Sequence, residues 1–398
     1  MRPRSGKSSV PKNQSTGFSL ANAASRLKIW IMMAVVLAAI GLFQASSAQD
    51  EVAFNNQHTR NVVTKGMDFQ HRMPMVTGDV QRTIDSGVHI ENIYQLNLKD
   101  KTFWADGWYW IKWRPEVQKI IEAEKIPLNN ILEFTNEIEA TNMVLDPDTT
   151  EPVKLEDGRL YQLFRFSGHF YVNDLNLAGF PFYDMKLPIT METRPDSLSC
   201  YEGGPPCASL VPEKNIATTL VGQFADVNGY DMVGSSVKPF LHQYNTTFGI
   251  GSPSAFPSID YGIVYKTNFF SAFGQYILPL LVVIGIVIAS PSLPGSLGDV
   301  RLAIPTTALL TLIFLQQSYR ADLPPLSYST FLDLLYIYAY LISIAFFLLF
   351  CWGTVYYNKA AEGGEPLAEQ HINRMDWKFQ LVALISLALL VPLAFVLL

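Results

Sequence analysis

TNFFSAFGQYILPLLVVIGIVIASPSLPGSLG, residues 267–298, holds 32 positions without one charged side chain. Three more charge-free tracts follow: Leu302–Tyr319 with 18 residues, Leu334–Asn358 with 25 and Phe379–Leu398 with 20. A helix rises 1.5 Å per residue, so a hydrocarbon core about 30 Å thick takes about 20 apolar residues to cross. The tracts are expected to form four membrane-spanning helices: M1 at about 269–290, M2 at about 300–320, M3 at about 331–357 and M4 at about 377–398. Composition agrees, with 49% hydrophobic and 16% charged residues, against about 25% charged in soluble domains.

The other end of the chain has a different design. Residues 1–28 carry Arg2, Arg4, Lys7, Lys12, Arg26 and Lys28 and no acid; Ile29–Phe43 is apolar; Ser46, Ser47 and Ala48 are small. A basic head, a short apolar body and a small-residue site describe a secretory signal peptide, residues 1–48. The alternative is an uncleaved anchor, for which 15 apolar residues are too short. Export places residues 49–266 in the periplasm of an inner-membrane protein, and four crossings return the C-terminus there. The loops near Pro291–Val300 and Lys359–Asp376 are then cytoplasmic. Without residues 1–48 the chain keeps 23 basic and 35 acidic side chains, a surface that repels nucleic acid. Cys200 and Cys207, seven apart in a Gly/Pro-rich stretch, admit a disulfide in such a compartment. Cys351 lies in an apolar tract and reads as a small buried hydrophobe.

Residues 49–266 read as strands. Val88–Leu98, Phe103–Trp113 and Arg159–Val172 alternate apolar and polar side chains and are rich in aromatic and β-branched residues. Asp157-Gly158 and Gly203-Gly204-Pro205-Pro206 mark turns. Many short strands predict a β-sandwich, with a short helix at Val117–Glu124. Residues 49–80 show no clear period and are expected to form an arm or a short helix.

Several motifs now fall into an order. Arg165-Phe166-Ser167 leads to Asp174-Leu175 and then Phe180-Pro181-Phe182; M1 contains Leu278-Pro279; M2 contains Thr307-Ala308-Leu309-Leu310-Thr311-Leu312, followed by Leu323-Pro324 and Tyr328. From about residue 85 to the end, this series resembles the pentameric ligand-gated ion channels of the Cys-loop superfamily, in the bacterial form. The resemblance implies a β-sandwich ligand-binding domain, 49–266, before a four-helix transmembrane domain, 267–398. It also implies a homopentamer in membrane lipid, a pore lined by M2, and a site for a small-molecule ligand or proton. There are departures. Tyr183 stands where the family has Asp after Phe-Pro-Phe, with Asp184 next, and Lys266 precedes the position of the family's basic residue before M1. Neither Cys200 nor Cys207 brackets the Phe-Pro-Phe loop.

The pore has a physical reading of its own. Ala303, Thr307, Leu310, Phe314, Gln317 and Ala321 recur every three or four residues and share one helix face, with Asp299 a turn below. Five copies give stacked rings, of which the carboxylate ring sets ion sign and the apolar rings form a constriction. Permeating monovalent cations are expected. The bland alternative is an ordinary packed helix. Pro305 removes one intrahelical bond and is expected to bend M2. At the sensor, the resemblance places ligand contacts at Trp108, Phe134, Asn136, Tyr244 and Phe248, with Trp104 and Trp110 as rivals on the strand face of Trp108. It places coupling at Asp100, Tyr183, Asp184, Lys266, Pro324 and Tyr328. His169 is a lone strand histidine whose neutral-range titration keeps proton sensing open.

No H-E-x-x-H, G-x-S-x-G or P-loop occurs, so no enzyme, metal or cofactor is expected. A transporter predicts internal repeats and mid-membrane charges, and the tracts have neither. The remaining rival is a non-conducting, membrane-anchored periplasmic sensor, which needs an output domain that the 359–376 loop is too short to be. The signal reading sets the first prediction: N-terminal sequencing or intact mass of the purified protein finds the mature chain starting near Gln49, and retention of Met1 refutes it.

Overall fold

Period-two alternation in the sequence becomes two stacked sheets. The structure is a computed structural model describing residues 71–73, 82–139, 143–201, 207–244, 246, 249, 254–360 and 364–397. The expected signal peptide and most of the 49–80 segment lie outside the described residues. In chain order the first elements are β1 (His71–Met73), β2 (Thr83–Asn97), β3 (Thr102–Trp113), helix α1 (Pro115–Glu124), β4 (Leu132–Phe134), β5 (Glu137–Ile138), β6 (Val144–Pro147) and β7 (Val153–Lys154). There follow β8 (Leu160–Tyr171), β9 (Asp184–Thr193), β10 (Cys200–Tyr201), β11 (Ser209–Pro212), β12 (Val221–Phe224), β13 (Tyr230–Gln243) and β14 (Ser254–Thr267). One sheet runs β1-β13-β14-β9-β4, with β10 on β14. The other runs β11-β2-β3-β8-β5, with β12 on β2 and β6 and β7 on β8.

In β3, Phe103, Ala105, Tyr109, Ile111 and Trp113 point into the space between the sheets, while Trp104, Asp106, Trp108, Trp110 and Lys112 face out. Aromatic rings fill the interior: Tyr109 stacks on Phe164 at 4.6 Å and meets Phe134 edge-on at 5.6 Å. Tyr261 Oη crosses between the sheets and donates to Ser86 O at 2.8 Å. The short helix expected at 117–124 is α1, which Pro115 opens in the first turn, where a missing N–H is harmless. Cys200 and Cys207 are bonded, while Cys351 is only half buried.

A helical part follows the sandwich: α2 (Phe269–Ser292), α3 (Gly298–Ala321), α4 (Phe331–Asn358) and α5 (Glu365–Leu397). The first three are long and apolar enough to cross a membrane, which makes this a membrane protein. They match M1 to M3 closely. Within α2, residues Phe273–Ile277 widen into a π turn just before Leu278-Pro279. Proline lacks an N–H and its ring crowds the preceding turn, and a wider turn relieves both. By contrast, α3 runs unbroken through Pro305, which sits on its buried side.

The 359–376 loop needs correction. Residues 365–376 are helical and continuous with the fourth tract. Ala368, Ile372, Asp376 and Gln380 are buried at a spacing of four, so a core-facing stripe extends through polar sequence. Gln380 Nε2 donates to Ile288 O at 2.7 Å, and Tyr338 Oη donates to Ala383 O at 2.6 Å, tying α5 to α2 and α4.

Phe166 is fully buried, with Phe134 and Phe170 ring centroids 5.6 and 6.3 Å away. Phe166→Ala should destabilise the protein by about 3–5 kcal/mol, read as a lowered thermal midpoint of the solubilised full chain. Phe224→Ala, at a residue 58% exposed, should stay within about 0.5 kcal/mol of the parent.

Candidate functional site

Helix α3 has two unlike faces. Arg301, Pro305, Ala308, Leu312 and Tyr319 are buried against the rest of the protomer. Asp299, Ala303, Thr307, Leu310, Phe314, Gln317 and Ala321, the predicted pore face, are all exposed. Leu310 is 55% and Phe314 65% exposed. Thr306 and Ser318, and apolar Val300 and Ile313, are exposed beside them. The stripe is set by helix geometry, since steps of three and four residues stay on one side.

At the other end of α3 the sandwich meets the helices. The loop 177–183 turns through a cis Phe180–Pro181 bond. It presents carbonyls to a helix start: Phe331 N donates to Ala178 O at 2.8 Å and Leu332 N to Phe180 O at 3.1 Å. Tyr328 Oη accepts from Leu177 N at 3.0 Å. The Phe180 ring packs on Tyr276 at 4.9 Å and on Tyr319 at 6.0 Å. Pro324 is buried beside this junction. Tyr183 is held from two sides: its N–H donates to Thr267 Oγ1 at 3.1 Å, and its Oη lies 2.6 Å from Tyr230 Oη. Asp184 and Lys266 are direct cross-strand partners in the β9–β14 register. Of the expected coupling residues, Asp100 stands apart. Its polar contacts are with Asn97, inside the β2–β3 turn.

Beneath the loop lies a carboxylate that sequence reasoning missed. Asp333, only 3% exposed, accepts from Tyr319 Oη, Arg320 Nη2 (2.6 Å), Thr330 N (2.9 Å) and Thr330 Oγ1 (3.0 Å). Thr330 and Asp333 form a capping box that closes the N-terminus of α4. The signal was legible as Thr330-x-x-Asp333 ahead of an apolar run.

The sandwich carries a second buried carboxylate. Glu192, 1% exposed on β9, accepts from Tyr244 Oη at 2.5 Å and from Ser258 Oγ at 3.2 Å, and lies 2.5 Å from His242 Nδ1. A buried charge is expensive unless donors surround it, and three do. His242 Nε2 is buried and has no hydrogen-bond partner among the described residues. Glu133 is the cross-strand neighbour of Glu192. Burial pushes the Glu133 carboxyl up, the Glu192 charge adds to this, and Arg194 opposes it. Burial and the Glu192 hydrogen bond raise the Tyr244 hydroxyl, keeping it a donor.

The expected ligand residues divide. Tyr244 belongs to this cluster, but Phe134 is core, packed on Tyr109, Phe166 and Phe170. Asn136 is buried with its amide fully used: Nδ2 donates to Tyr171 O and Pro188 O, and Oδ1 accepts from Thr190 N. Phe248 lies outside the described residues. Trp108 faces out from the other sheet, 6.1 Å from the His89 ring. Its rivals are engaged: Trp104 stacks on His169 at 4.8 Å, and Trp110 Nε1 donates to Glu213 at 2.5 Å. Burial opposes ionisation of Glu213, but hydrogen bonds from Lys112 and Trp110 outweigh it and hold the carboxyl below its ordinary value. Among the described residues no cluster of His, Cys, Asp and Glu could hold a metal ion.

No model of a known protein family matches the chain, and no curated protein matches it.

Removing the Asp333 carboxylate strands its buried donors, at about 1–3 kcal/mol for each. Asp333→Ala should therefore lower the thermal midpoint of the solubilised protein. Arg320→Ala should lower it less, because that side chain is 41% exposed. Equal effects of the two would show that Asp333 matters only as half of an ion pair.

Proposed function

We propose that the chain is one subunit of a pentameric, ligand-gated, cation-selective ion channel of the inner membrane, with the sandwich in the periplasm. The observation that carries this is the outward face of α3. It exposes a carboxylate, hydroxyls, large apolar side chains and an amide in sequence along one side. Lipid solvates hydroxyls and amides poorly, whereas a water-filled axis accepts all of these groups. Five such faces around an axis place Asp299 at the cytoplasmic mouth and Leu310 and Phe314 at an apolar constriction that closes by dewetting. The resemblance read from the motifs in residues 85–398 supports the same arrangement. Helix α5, tied to α2 and α4, serves as the fourth span, facing membrane lipid.

Ligand recognition fits a seam between subunits. Trp108 faces outward from one sheet, and the Glu192, His242 and Tyr244 cluster sits at the loop end of the β13–β14 hairpin in the other. A small cationic ligand suits an aromatic surface beside buried carboxylates. The signal reaches the pore through the loop 177–183, whose carbonyls cap α4. The rival, a non-conducting anchored sensor, leaves the polar groups on the outward face of α3 without a role.

Single-channel or liposome-flux recordings of the full chain test the proposal. Reversal potentials in asymmetric salt should show cation preference, and Asp299→Lys should abolish or reverse it. Leu310→Ser should wet the constriction and raise leak current. Clear anion preference in the parent, or currents indifferent to both substitutions, would overturn the assignment.

A further inference from the structure

Arg301 is the puzzle of the pore helix. It lies two residues from Asp299, in the first turn of α3, where a cation facing the axis opposes cation passage. Two residues are about 200° of helix, so Arg301 points into the protomer, and its side chain is 2% exposed. A buried guanidinium requires a counter-charge. That charge comes from far along the chain: Asp376 of α5, also 2% exposed, with Oδ2 2.5 Å from Arg301 Nη2. The Phe350 ring of α4 lies 4.3 Å from the guanidinium carbon. The packing beside the head group is close. A Cβ on Gly295 would come within 3.5 Å of Arg301 Nη1 and press on Ile372 at 3.0 Å.

The pairing is one-sided. Arg301 Nε and Asp376 Oδ1 are both buried without a hydrogen-bond partner among the described residues. The guanidinium is therefore held by a single contact and a ring face, not by a two-pronged fork. Without Asp376 it is a bare charge at the base of a helix, one turn from water. The least costly relief is for the long side chain to extend out of the bundle at that end. There it lies well within a Debye length, about 8 Å at physiological salt, of the Asp299 carboxylates.

We infer that Asp376 is a specificity-determining residue of the channel: it hides Arg301 inside the protomer, so that the cytoplasmic mouth presents the Asp299 carboxylates without an opposing ring of guanidinium groups. This rests on the pore reading above and extends it to a residue on α5 that never touches the ion path. Asp376 is a positioning residue, acting through Arg301.

Two measurements on the full-length protein test it. The first is the potassium-to-chloride permeability ratio in a salt gradient, recorded in a Leu310→Ser background so that no agonist is needed. Asp376→Asn should lower the ratio by about tenfold or more, because each subunit then adds one positive charge at a narrow mouth. The double variant Arg301→Gln/Asp376→Asn, with no cation to release, should restore it. A merely structural role for Asp376 predicts no such rescue. The second measurement needs no current. Phenylglyoxal labelling of the purified oligomer, mapped by peptide mass, should leave Arg301 unmodified in the parent and modify it in Asp376→Asn. The exposed Arg374 should label in both. An unchanged permeability ratio in Asp376→Asn, equal ratios in the single and double variants, or equal Arg301 labelling with and without Asp376 would each overturn the inference. Absence of any current from every variant sinks the pore reading and the selectivity role with it, while the labelling still decides whether Asp376 buries Arg301.

Discussion

The first N–H groups of a helix have no partner inside that helix, and at α4 the sandwich supplies them. Phe331 N and Leu332 N donate to Ala178 O and Phe180 O, and Asp333 N is capped by Thr330 Oγ1. Left bare at a buried end, each donor is a liability of about 1–3 kcal/mol. The helix start and the loop 177–183 therefore stay together wherever either goes. Asp333 completes the joint by taking hydrogen bonds from Tyr319 and Arg320 at the end of α3. One carboxylate thus binds the top of the outward-facing helix to the helix that the sandwich caps. Everything proposed about coupling depends on this knot.

The same logic explains why α3 can afford an apolar outer face. Its inner face is anchored at both ends by buried charge, Asp333 above and Asp376 below, and by packing of Pro305, Ala308 and Leu312 between. Those anchors fix the helix rotation. With the rotation fixed, a surface bearing Leu310 and Phe314 beside Thr307 and Gln317 persists in the protomer, unpartnered. Large exposed apolar patches are surfaces awaiting cover, and the pore proposed above would supply it with symmetric copies around water, which also suits the interleaved polar groups.

What the sequence disclosed follows from periodicity. Aromatic alternation in 103–113 predicted β3 within a residue, and the seven positions picked by steps of three and four from Asp299 to Ala321 are all exposed, although Val300, Thr306, Ile313, Ser318 and Arg320, outside that series, are exposed as well. Charge misled at 365–376, because a polar stretch read as a loop while its every-fourth-residue stripe of Ala368, Ile372 and Asp376 already continued into Gln380. Phe134 and Asn136 were placed by resemblance, and position along a strand says nothing about which side of the sheet a residue faces until the register is known. Phe134 and Asn136 lie in the interior, while Glu133 beside them meets Glu192 across the strands. Partners distant in sequence, such as Glu192 with His242 or Arg301 with Asp376, leave no local pattern. Only the fold brings them together.

Glu192 and Asp184 are both on β9, eight residues and about 26 Å apart. Its partner β14 matches it residue for residue, from Ser258 opposite Glu192 to Lys266 opposite Asp184, without a bulge. A regular antiparallel pair has little slack along its length, since slipping by one residue would turn buried Leu187, Ile189 and Met191 outward. A displacement at the buried carboxylate is therefore not absorbed within the strands. It emerges where they end, at Tyr183 and Thr267, which exchange hydrogen bonds directly above the helices. One strand continues into α2, and the other is preceded by the loop that caps α4. The carboxylate that gathers Tyr244, His242 and Ser258 is thus connected through stiff backbone to the helices on both sides of α3.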